Sequence, residues 1–294
     1  MLHRFSVLVA CSTLLLVVAG ALVTSNDAGL SVPDWPLSYG QLMPKMEGGI
    51  FWEHGHRMVA TTVGFLTLIL AVWIARVETR PWLRILGWSA LGAVVAQGLL
   101  GGITVLLLQP RPVSIGHACL AELFFSTTVA IAWFTSPAWR RGGPNVEDPG
   151  LHRLALAAPV SVFIQLALGA AARHKALGAL AHIAWAPVTT GMVLWLVTRI
   201  LMRHSGHGQL RTPALALVTI TFAQVFLGIA AYMSRIATVD APQPMKVMVV
   251  FTSAHVALGA MTLACSILTG IQVFRYAGRV SACPTIPEAL PANS

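Results

Sequence analysis

Four histidines lie at matched positions in the apolar parts of the chain, one in every second apolar segment. They are His56, His117, His182 and His255. Each follows closely on the start of its segment, so at about 1.5 Å per helical residue all four imidazoles fall within roughly 3 to 11 Å of one membrane boundary. Ionisable groups are costly to bury in a membrane and usually serve a function. We therefore expect one layer of imidazoles near one end of a helical bundle.

Two imidazoles in each half of the chain suit a planar macrocycle that brings four nitrogen ligands and takes only axial ligands from the protein. Zinc is a less economical choice, because structural zinc sites use four protein ligands and catalytic sites usually three. A packing histidine is the alternative at any single position, but four at one depth favour two bis-histidine sites. Glycines on neighbouring segments would let a flat ring approach, although small-residue helix packing explains them equally well. These glycines are Gly98, Gly101, Gly102 and Gly228.

The first half of the chain has an acidic residue beside its histidine, and the second half does not. Glu53 precedes His56 by three residues and Arg57 by four, so the three side chains share one helix face. The corresponding stretch of the second half, Leu180-Ala181-His182-Ile183, has no acidic residue. This difference indicates chemistry in the first half and a resident cofactor in the second. The alternative is a Glu53–Arg57 ion pair that lets both residues tolerate the membrane interface.

The elements that hold these residues are predicted to be membrane-spanning helices. Of the 294 residues, 56% are hydrophobic and only 10% are charged, which excludes an ordinary soluble globule. The formal charge of +9 lies in short clusters without interleaved aromatic residues, so no nucleic-acid partner is expected. Eight apolar runs have roughly the 20 residues that a spanning helix needs. They cover about residues 5–23, 50–75, 82–108, 115–136, 151–172, 179–202, 213–233 and 248–274.

Basic residues around these runs predict the orientation in the membrane. Twelve arginines flank the runs on the side of the N-terminus, against six arginines and lysines on the opposite side. Both termini are therefore predicted to be cytoplasmic, and the end of the bundle with the four histidines is called the predicted outer end. The first run is interpreted as a retained helix, because its 19 apolar residues are long for a signal peptide. Residues 279–294, rich in Pro, Ala and Ser, are predicted to form a disordered cytoplasmic tail.

The remaining polar residues of the runs and inner loops are expected to be structural or solvated. His54 should face away from Glu53, and Glu122 should be paired within the bundle on a face away from His117. The four cysteines are too few for a disulfide framework, and no disulfide is expected. The histidines expected to be solvated in or beside the inner loops are His3, His152, His204 and His207.

An internal repeat divides the chain into two halves. Ala96-Gln97-Gly98-Leu99-Leu100-Gly101 in the third run resembles Ala223-Gln224-Val225-Phe226-Leu227-Gly228 in the seventh, and parallel repeats put equivalent residues at equivalent depths. The other paired positions are Gly20 with Gly169, His56 with His182, and His117 with His255. We predict an all-α integral membrane protein with eight transmembrane helices in two pseudo-symmetric four-helix bundles. Residues 1–138 would hold the reactive site and residues 139–278 the resident cofactor.

These motifs together resemble the haem A synthase family. The resemblance rests on the segment from Gly20 to Gly40, which contains Asp34-Trp35-Pro36, on the Glu53-x-x-His56-Arg57 motif, and on the single histidines in the fourth, sixth and eighth runs. It covers about residues 4–278. It implies an oxidoreductase of haem biosynthesis that oxidises a methyl group of haem O to the formyl group of haem A, for use by haem-copper terminal oxidases.

The resemblance also implies roles for individual residues. His56 and His117 would flank the substrate haem O as axial ligands, and Glu53 would take part in catalysis. His182 and His255 would be the axial ligands of haem b in the second half. Candidate contacts of the haem propionates, chosen by depth alone, are Arg57, Arg173 and Lys175.

This chain departs from the family pattern in two outer loops. Many members carry a cysteine pair in the first outer loop, where this chain has Ser31, Val32 and Ser38, so a disulfide-based role is not expected. The corresponding loop of the second half is cut to residues 174–178. Few outer residues are therefore left to cover haem b.

The resemblance places the protein in the bacterial cytoplasmic (inner) membrane as a multi-pass protein. Its candidate partners are haem O, membrane lipid, haem O synthase, an electron acceptor, oxidase assembly factors and a second copy of the chain. The main alternative is a di-haem b-type electron-transfer cytochrome, whose two sites would be equivalent; the unshared Glu53 argues against it. A transporter is a second alternative, but it leaves the layer of histidines unexplained.

Overall fold

The computed structural model describes residues 1–278 and is helical almost throughout. The predicted tail, residues 279–294, lies outside the described residues. The helices are α1 (Leu2–Ser25), α2 (Gly48–Val77), α3 (Pro81–Leu106), α4 (Arg111–Phe134), α5 (Pro137–Arg141), α6 (Leu151–Arg173), α7 (Ala179–Arg203), α8 (Gly208–Ala237) and α9 (Lys246–Tyr276). Two short strands, β1 (Val146–Glu147) and β2 (Ala277–Gly278), pair in parallel and tie the loop before α6 to the end of α9.

Eight of the described helices are long and apolar enough to cross a membrane. They follow the eight predicted runs in order, and their lengths of 23 to 31 residues exceed the roughly 20 that a span requires. The prediction of an all-α, multi-pass membrane protein is therefore confirmed. The predicted start of the seventh run, residue 213, is too late, because α8 begins at Gly208 and continues through Pro213.

Pro213 is accommodated inside α8 because a side chain replaces the hydrogen bond that proline cannot make. Proline has no N–H, so the carbonyl four residues earlier loses its helical partner. That carbonyl belongs to Gln209, and the side-chain amide of Gln272 on α9 donates to it at 3.1 Å. Helix α8 therefore extends beyond the apolar run with this carbonyl still satisfied.

The long helices pack as two groups of four. Within the first group, α1 and α3 each contact α2 and α4; within the second, α6 and α8 each contact α7 and α9. Each group encloses its own apolar core, in which Leu70 and Phe124 are fully buried in the first group and Leu196 and Leu263 in the second. This arrangement is consistent with two four-helix halves. The division after residue 138 and the pseudo-symmetry of the halves stay predictions.

Helices α1, α4 and α9 meet at the seam between the two groups. Val17, Phe125, Ala260 and Ala264 form a third buried apolar cluster there. The seam thus brings the two groups into direct side-chain contact near the middle of the bundle.

The histidines at the predicted inner end are buried or only partly exposed and contact the protein, so the expectation that they are solvated was wrong. Imidazole nitrogens can bond to carbonyls and carboxylates, and three of the four rings do so, while the fourth stacks on an aromatic ring. The contacts are His3 Nδ1 to the carbonyl of Ala132 at 3.0 Å, His152 stacked on Phe274, His204 to the carboxylate of Asp148 at 3.2 Å, and His207 to the carbonyl of Pro144 at 2.7 Å.

Candidate functional site

Each of the four layered histidines packs its ring against a glycine of the preceding long helix. A Cβ on that glycine would lie 2.9 to 3.3 Å from the imidazole Cε1, closer than a side chain can normally approach. The glycines therefore fix where each ring can lie. The four pairs are Gly20 with His56, Gly101 with His117, Gly169 with His182, and Gly228 with His255.

The glycines highlighted in the sequence turn out to serve different neighbours. Gly101 and Gly228 back histidine rings, whereas a Cβ on Gly102 would lie 2.7 Å from the indole of Trp35. A Cβ on Gly98 would meet no described atom within 4 Å beyond its own helix. The spacing of small residues thus indicated the right helix faces but not which ring each glycine accommodates.

The second group of helices brings its two histidines face to edge. The ring centroids of His182 and His255 are 6.1 Å apart and the rings are nearly perpendicular, at 87°. A metal–imidazole nitrogen bond is about 2 Å long, so two axial imidazoles on one metal have centroids roughly 6 Å apart. The observed separation fits a pair of axial ligands.

Hydrogen bonding leaves one nitrogen of His182 suited to a metal. Nδ1 lies 3.0 Å from the backbone carbonyl of Gln165, so the ring proton belongs on Nδ1 and the lone pair on Nε2. A hydrogen bond from the other ring nitrogen to a carbonyl is the usual arrangement for a metal-binding histidine. The side-chain amide of Gln165 lies 3.4 Å from Nε2 but donates at the shorter distance of 3.0 Å to the His182 carbonyl.

The other three rings contain buried nitrogens that lack partners. Nδ1 of His56, His117 and His255 is enclosed and has no hydrogen-bond partner within the part of the chain that the structure covers. Within residues 1–278 no three His, Cys, Asp or Glu side chains come together as a site for a bare metal ion. Paired imidazoles without further ligands fit a group that brings its own equatorial nitrogens, and they do not fit a zinc centre.

Glutamines on α3 and α6 hold the histidine backbones, and they were not among the predicted site residues. The side-chain amide of Gln97 donates to the carbonyl of His117 at 2.8 Å, and that of Gln165 donates to the carbonyl of His182 at 3.0 Å. Each glutamine lies four residues before the glycine that backs the same histidine. The sequence contains a signal for this role, a repeated Gln-x-x-x-Gly spacing. Gln224 on α8 shows the same spacing, whereas α1 has Leu16 in place of the glutamine.

Glu53 is buried at the start of α2 and both its carboxylate oxygens are hydrogen-bonded. Its side chain accepts from the backbone N–H of Val32 at 2.8 Å and from Arg57 Nη2 at 2.6 Å. The ion pair that was the structural alternative for these two residues is therefore present. A role of Glu53 in catalysis stays a prediction.

Arg57 anchors the long loop between α1 and α2. Its Nη1 donates to the carbonyls of Asp34 and Leu37, both at 2.8 Å, and its Nη2 lies 3.3 Å from the carbonyl of Val32. The guanidinium is therefore hydrogen-bonded to the loop. A contact of Arg57 with a haem propionate stays a prediction. His54 faces the same loop, with Nδ1 2.7 Å from Ser38 Oγ.

The anchored loop, residues 26–47, covers the predicted outer end of the first group of helices. Trp35 lies over Gly102, next to the glycine that backs His117. The preceding residue closes a turn, because the Asp34 carboxylate accepts from the backbone N–H groups of Tyr39 and Gly40 at 2.7 and 2.8 Å. These two hydrogen bonds lower the pKa of Asp34 below its ordinary value, and the one from Gly40 has the larger effect. The Asp34-Trp35-Pro36 motif thus shapes a cover over one histidine pair.

Arg173 links the two groups of helices at the level of the histidines. Its Nη2 donates to the carbonyl of Ala21 at 2.7 Å and to Ser25 Oγ at 2.8 Å on α1. Ser25 Oγ in turn lies 3.1 Å from Ser253 Oγ on α9. The neighbouring His174 is half-buried, and burial together with the Arg173 charge lowers its pKa. Propionate contacts of Arg173 and Lys175 stay predictions.

Glu122 is buried but is not paired as expected. Its Oε2 atom has no hydrogen-bond partner among residues 1–278. Residues three and seven positions later, Phe125 and Val129, lie on the same helix face and pack at the apolar seam. The neighbours of the Glu122 carboxyl group on that helix face are therefore apolar side chains and not a basic residue.

Comparison with known proteins reveals similarity to one family. Residues 3–181 match the model of a family described as cytochrome oxidase assembly protein, COX15-CtaA. Heme A synthase of Symbiobacterium thermophilum is 36% identical over 171 residues, which is 55% of each chain. Heme A synthase of Shouchella clausii is 32% identical over 133 residues, or 44% of each chain. The matched part of the chain spans about half the length of these relatives.

Proposed function

Because the chain belongs to the COX15-CtaA family of cytochrome oxidase assembly proteins, we propose that it is a haem A synthase, which oxidises a methyl group of haem O to the formyl group of haem A. The supporting observation is the layer of four glycine-backed histidines with a buried carboxylate beside only one pair. Relatives named heme A synthase match about half of the chain.

The second pair of histidines is proposed to hold haem b. His182 and His255 have the ring separation of two axial ligands, and the Gln165 carbonyl orients His182 with Nε2 available. A bound haem b supplies one-electron redox chemistry beside the first site. His182 and His255 do no acid–base work in this proposal; they bind and orient.

The first pair, His56 and His117, is proposed to flank the substrate haem O. Gly20 and Gly101 fix the positions of the two rings. The loop of residues 26–47, with Trp35 over Gly102, is proposed to limit the access of water to the outer end of this site. Exclusion of water strengthens the electrostatic effect of any charged group at the site.

Glu53 is the proposed catalytic group. It lies one helical turn before His56, and oxidation of a methyl group removes hydrogen from a carbon at which positive charge develops. A nearby carboxylate stabilises that charge and can accept a proton at Oε1 or Oε2. Arg57 and the Val32 N–H hold the carboxylate in one orientation, which is the preorganisation that such a role needs.

The protein is proposed to act in the bacterial cytoplasmic membrane with both termini in the cytoplasm. Membrane lipid surrounds it, and haem O synthase, an electron acceptor, oxidase assembly factors and a second copy of the chain are the candidate partners. The organisms of the matching relatives are bacteria such as Symbiobacterium thermophilum and Shouchella clausii.

The test is the haem content of cells that make haem O but have no haem A synthase of their own. Haems extracted from cells with and without this chain are separated by chromatography. We expect haem A only in cells that express the chain. A membrane fraction rich in the protein that contains haem b and haem O but no haem A would favour the di-haem cytochrome.

A further inference from the structure

An open cavity of about 480 Å³ lies at the predicted inner end, far from the histidine layer. It is formed where α2 ends, α3 begins and α5 meets the last turn of α9. The charged and aromatic residues that line it are Glu78, Arg80, Trp139, Arg140 and Arg275. Three arginines thus face one cavity with a single acidic residue.

The acidic residue neutralises only one of the three arginines. Glu78 binds Arg80 through two contacts, at 2.9 Å to Nε and 2.7 Å to Nη2. The hydrogen bond from Arg80 is the main reason why the pKa of Glu78 falls to about 2. Glu78 therefore stays ionised and its charge is directed at Arg80. Arg140 and Arg275 are left with two positive charges at the cavity.

Arg275 is held in place but keeps an unused hydrogen-bond donor. Its guanidinium carbon lies 3.6 Å from the centroid of the Trp139 ring, a cation–π contact that restricts its position. Nη1 is buried and has no hydrogen-bond partner within the described part of the chain. A buried donor without an acceptor is costly, so Arg275, which lines the cavity, suits an added acceptor there.

From this cluster we infer an anion-binding site for a phosphate group, formed by Arg140 and Arg275 with Arg80 at its edge. Planar guanidinium groups match phosphate oxygens through paired hydrogen bonds. The site lies at the level where helices end and Trp82 and Trp139 mark a membrane interface, so the phosphate of an anionic phospholipid can reach it. Free phosphate has the same chemistry, and the experiment distinguishes the two sources. This inference is independent of the proposed haem chemistry.

The experiment measures the thermal stability of the purified full chain in detergent with three probes: phosphatidylglycerol, phosphatidylcholine and inorganic phosphate. We expect phosphatidylglycerol, but not phosphatidylcholine, to raise Tm by several degrees. Arg275→Gln and Arg140→Gln should each lose at least half of that shift. Arg84→Gln is the matched control, because Arg84 is an exposed arginine of α3 at the same end that does not line the cavity.

The outcomes separate the sources and can overturn the inference. A shift with inorganic phosphate that depends on Arg275 identifies free phosphate as sufficient, whereas a shift with phosphatidylglycerol alone identifies the lipid headgroup. If Arg275→Gln fails to fold, the exposed Arg140 carries the same test. The site is refuted if no probe changes Tm, if both variants keep the full shift, or if Arg84→Gln loses as much as they do.

Discussion

Glu53 and Glu122 are both buried carboxyl groups in the first four helices, but their surroundings differ. Glu53 accepts hydrogen bonds from Arg57 and from the Val32 amide, whereas Oε2 of Glu122 has no partner among the described residues. A carboxylate with fixed donors stays oriented, and only Glu53 lies one turn from a layered histidine. The two residues therefore form a natural pair for testing which carboxyl group serves the chemistry.

Glu53→Gln should fold and bind haem yet accumulate haem O in place of haem A, because the substitution keeps the size and removes the charge. We expect haem A production to fall at least about tenfold, in line with loss of a group that acts by proton transfer or electrostatics. Haem extraction and chromatography measure this. Glu122→Gln is the control and should keep most haem A. Near-normal haem A in Glu53→Gln would leave that residue only its ion-pair role.

The glycines that back the histidines should determine where the imidazole rings lie. In Gly228→Ala the new Cβ would lie 2.9 Å from Cε1 of His255, so the ring must move and the absorption spectrum of the proposed haem b should weaken or shift. Gly191→Ala on α7 is the control, since its Cβ meets no described atom within 4 Å beyond its own helix. Alanine favours a helix over glycine by up to about 1 kcal/mol, so the control should be at least as stable as the parent. Equal spectra from both variants would contradict the role of the glycine.

The loop of residues 26–47 is the element that Arg57 holds in place. Arg57→Lys keeps the charge but cannot reproduce the planar set of donors that binds the carbonyls of Asp34 and Leu37. Each lost hydrogen bond costs about 1 kcal/mol, so the loop should open more often. Trypsin cleavage after Lys45, an exposed residue of this loop, should become roughly tenfold faster or more.

Arg111→Lys is the matched control for the loop experiment, because Arg111 is exposed at the start of α4. Trypsin should cleave Arg111→Lys at Lys45 at the same rate as it cleaves the parent chain. The same rate in Arg57→Lys as in this control would show that the guanidinium does not restrain the loop.

The elements could be predicted from the sequence because membrane spans follow from length and hydropathy alone. The start of α8 could not, since it depends on Gln272 replacing the bond that Pro213 cannot make. The pairing of His182 with His255 could be predicted from the repeat, and the glycine matches Gly20 with Gly169 and Gly101 with Gly228 were visible in it. The role of Gln97 and the unpaired state of Glu122 depend on which faces meet in three dimensions, which spacing does not determine.

At the scale of the whole molecule, the two groups of helices carry similar histidine pairs but different covers. The first group has the anchored loop of residues 26–47, while residues 174–178 form the corresponding short connection in the second. Arg173 joins the groups through Ala21 and Ser25. A large cover suits a site that binds and releases a substrate, and this asymmetry agrees with the position of Glu53.

The orientation of the molecule is predicted from its arginines and is testable with reporter fusions. A fusion in the loop of residues 141–150 should behave as cytoplasmic, and one in the loop of residues 26–47 as periplasmic, because basic residues concentrate on the side of the termini. Periplasmic behaviour of the fusion in residues 141–150 would overturn the orientation.

The proposed function requires two unequal histidine sites, one for a resident haem and one for the substrate. The most direct measurement is the haem content of purified His182→Ala and His56→Ala, by extraction and by reduced-minus-oxidised spectra. We expect His182→Ala to lose haem b together with its low-spin bis-histidine signal. His56→Ala should keep that signal and lose bound haem O and haem A. An unchanged bis-histidine spectrum in His182→Ala, or loss of the same haem from both variants, would show that the two pairs are not two separate haem sites.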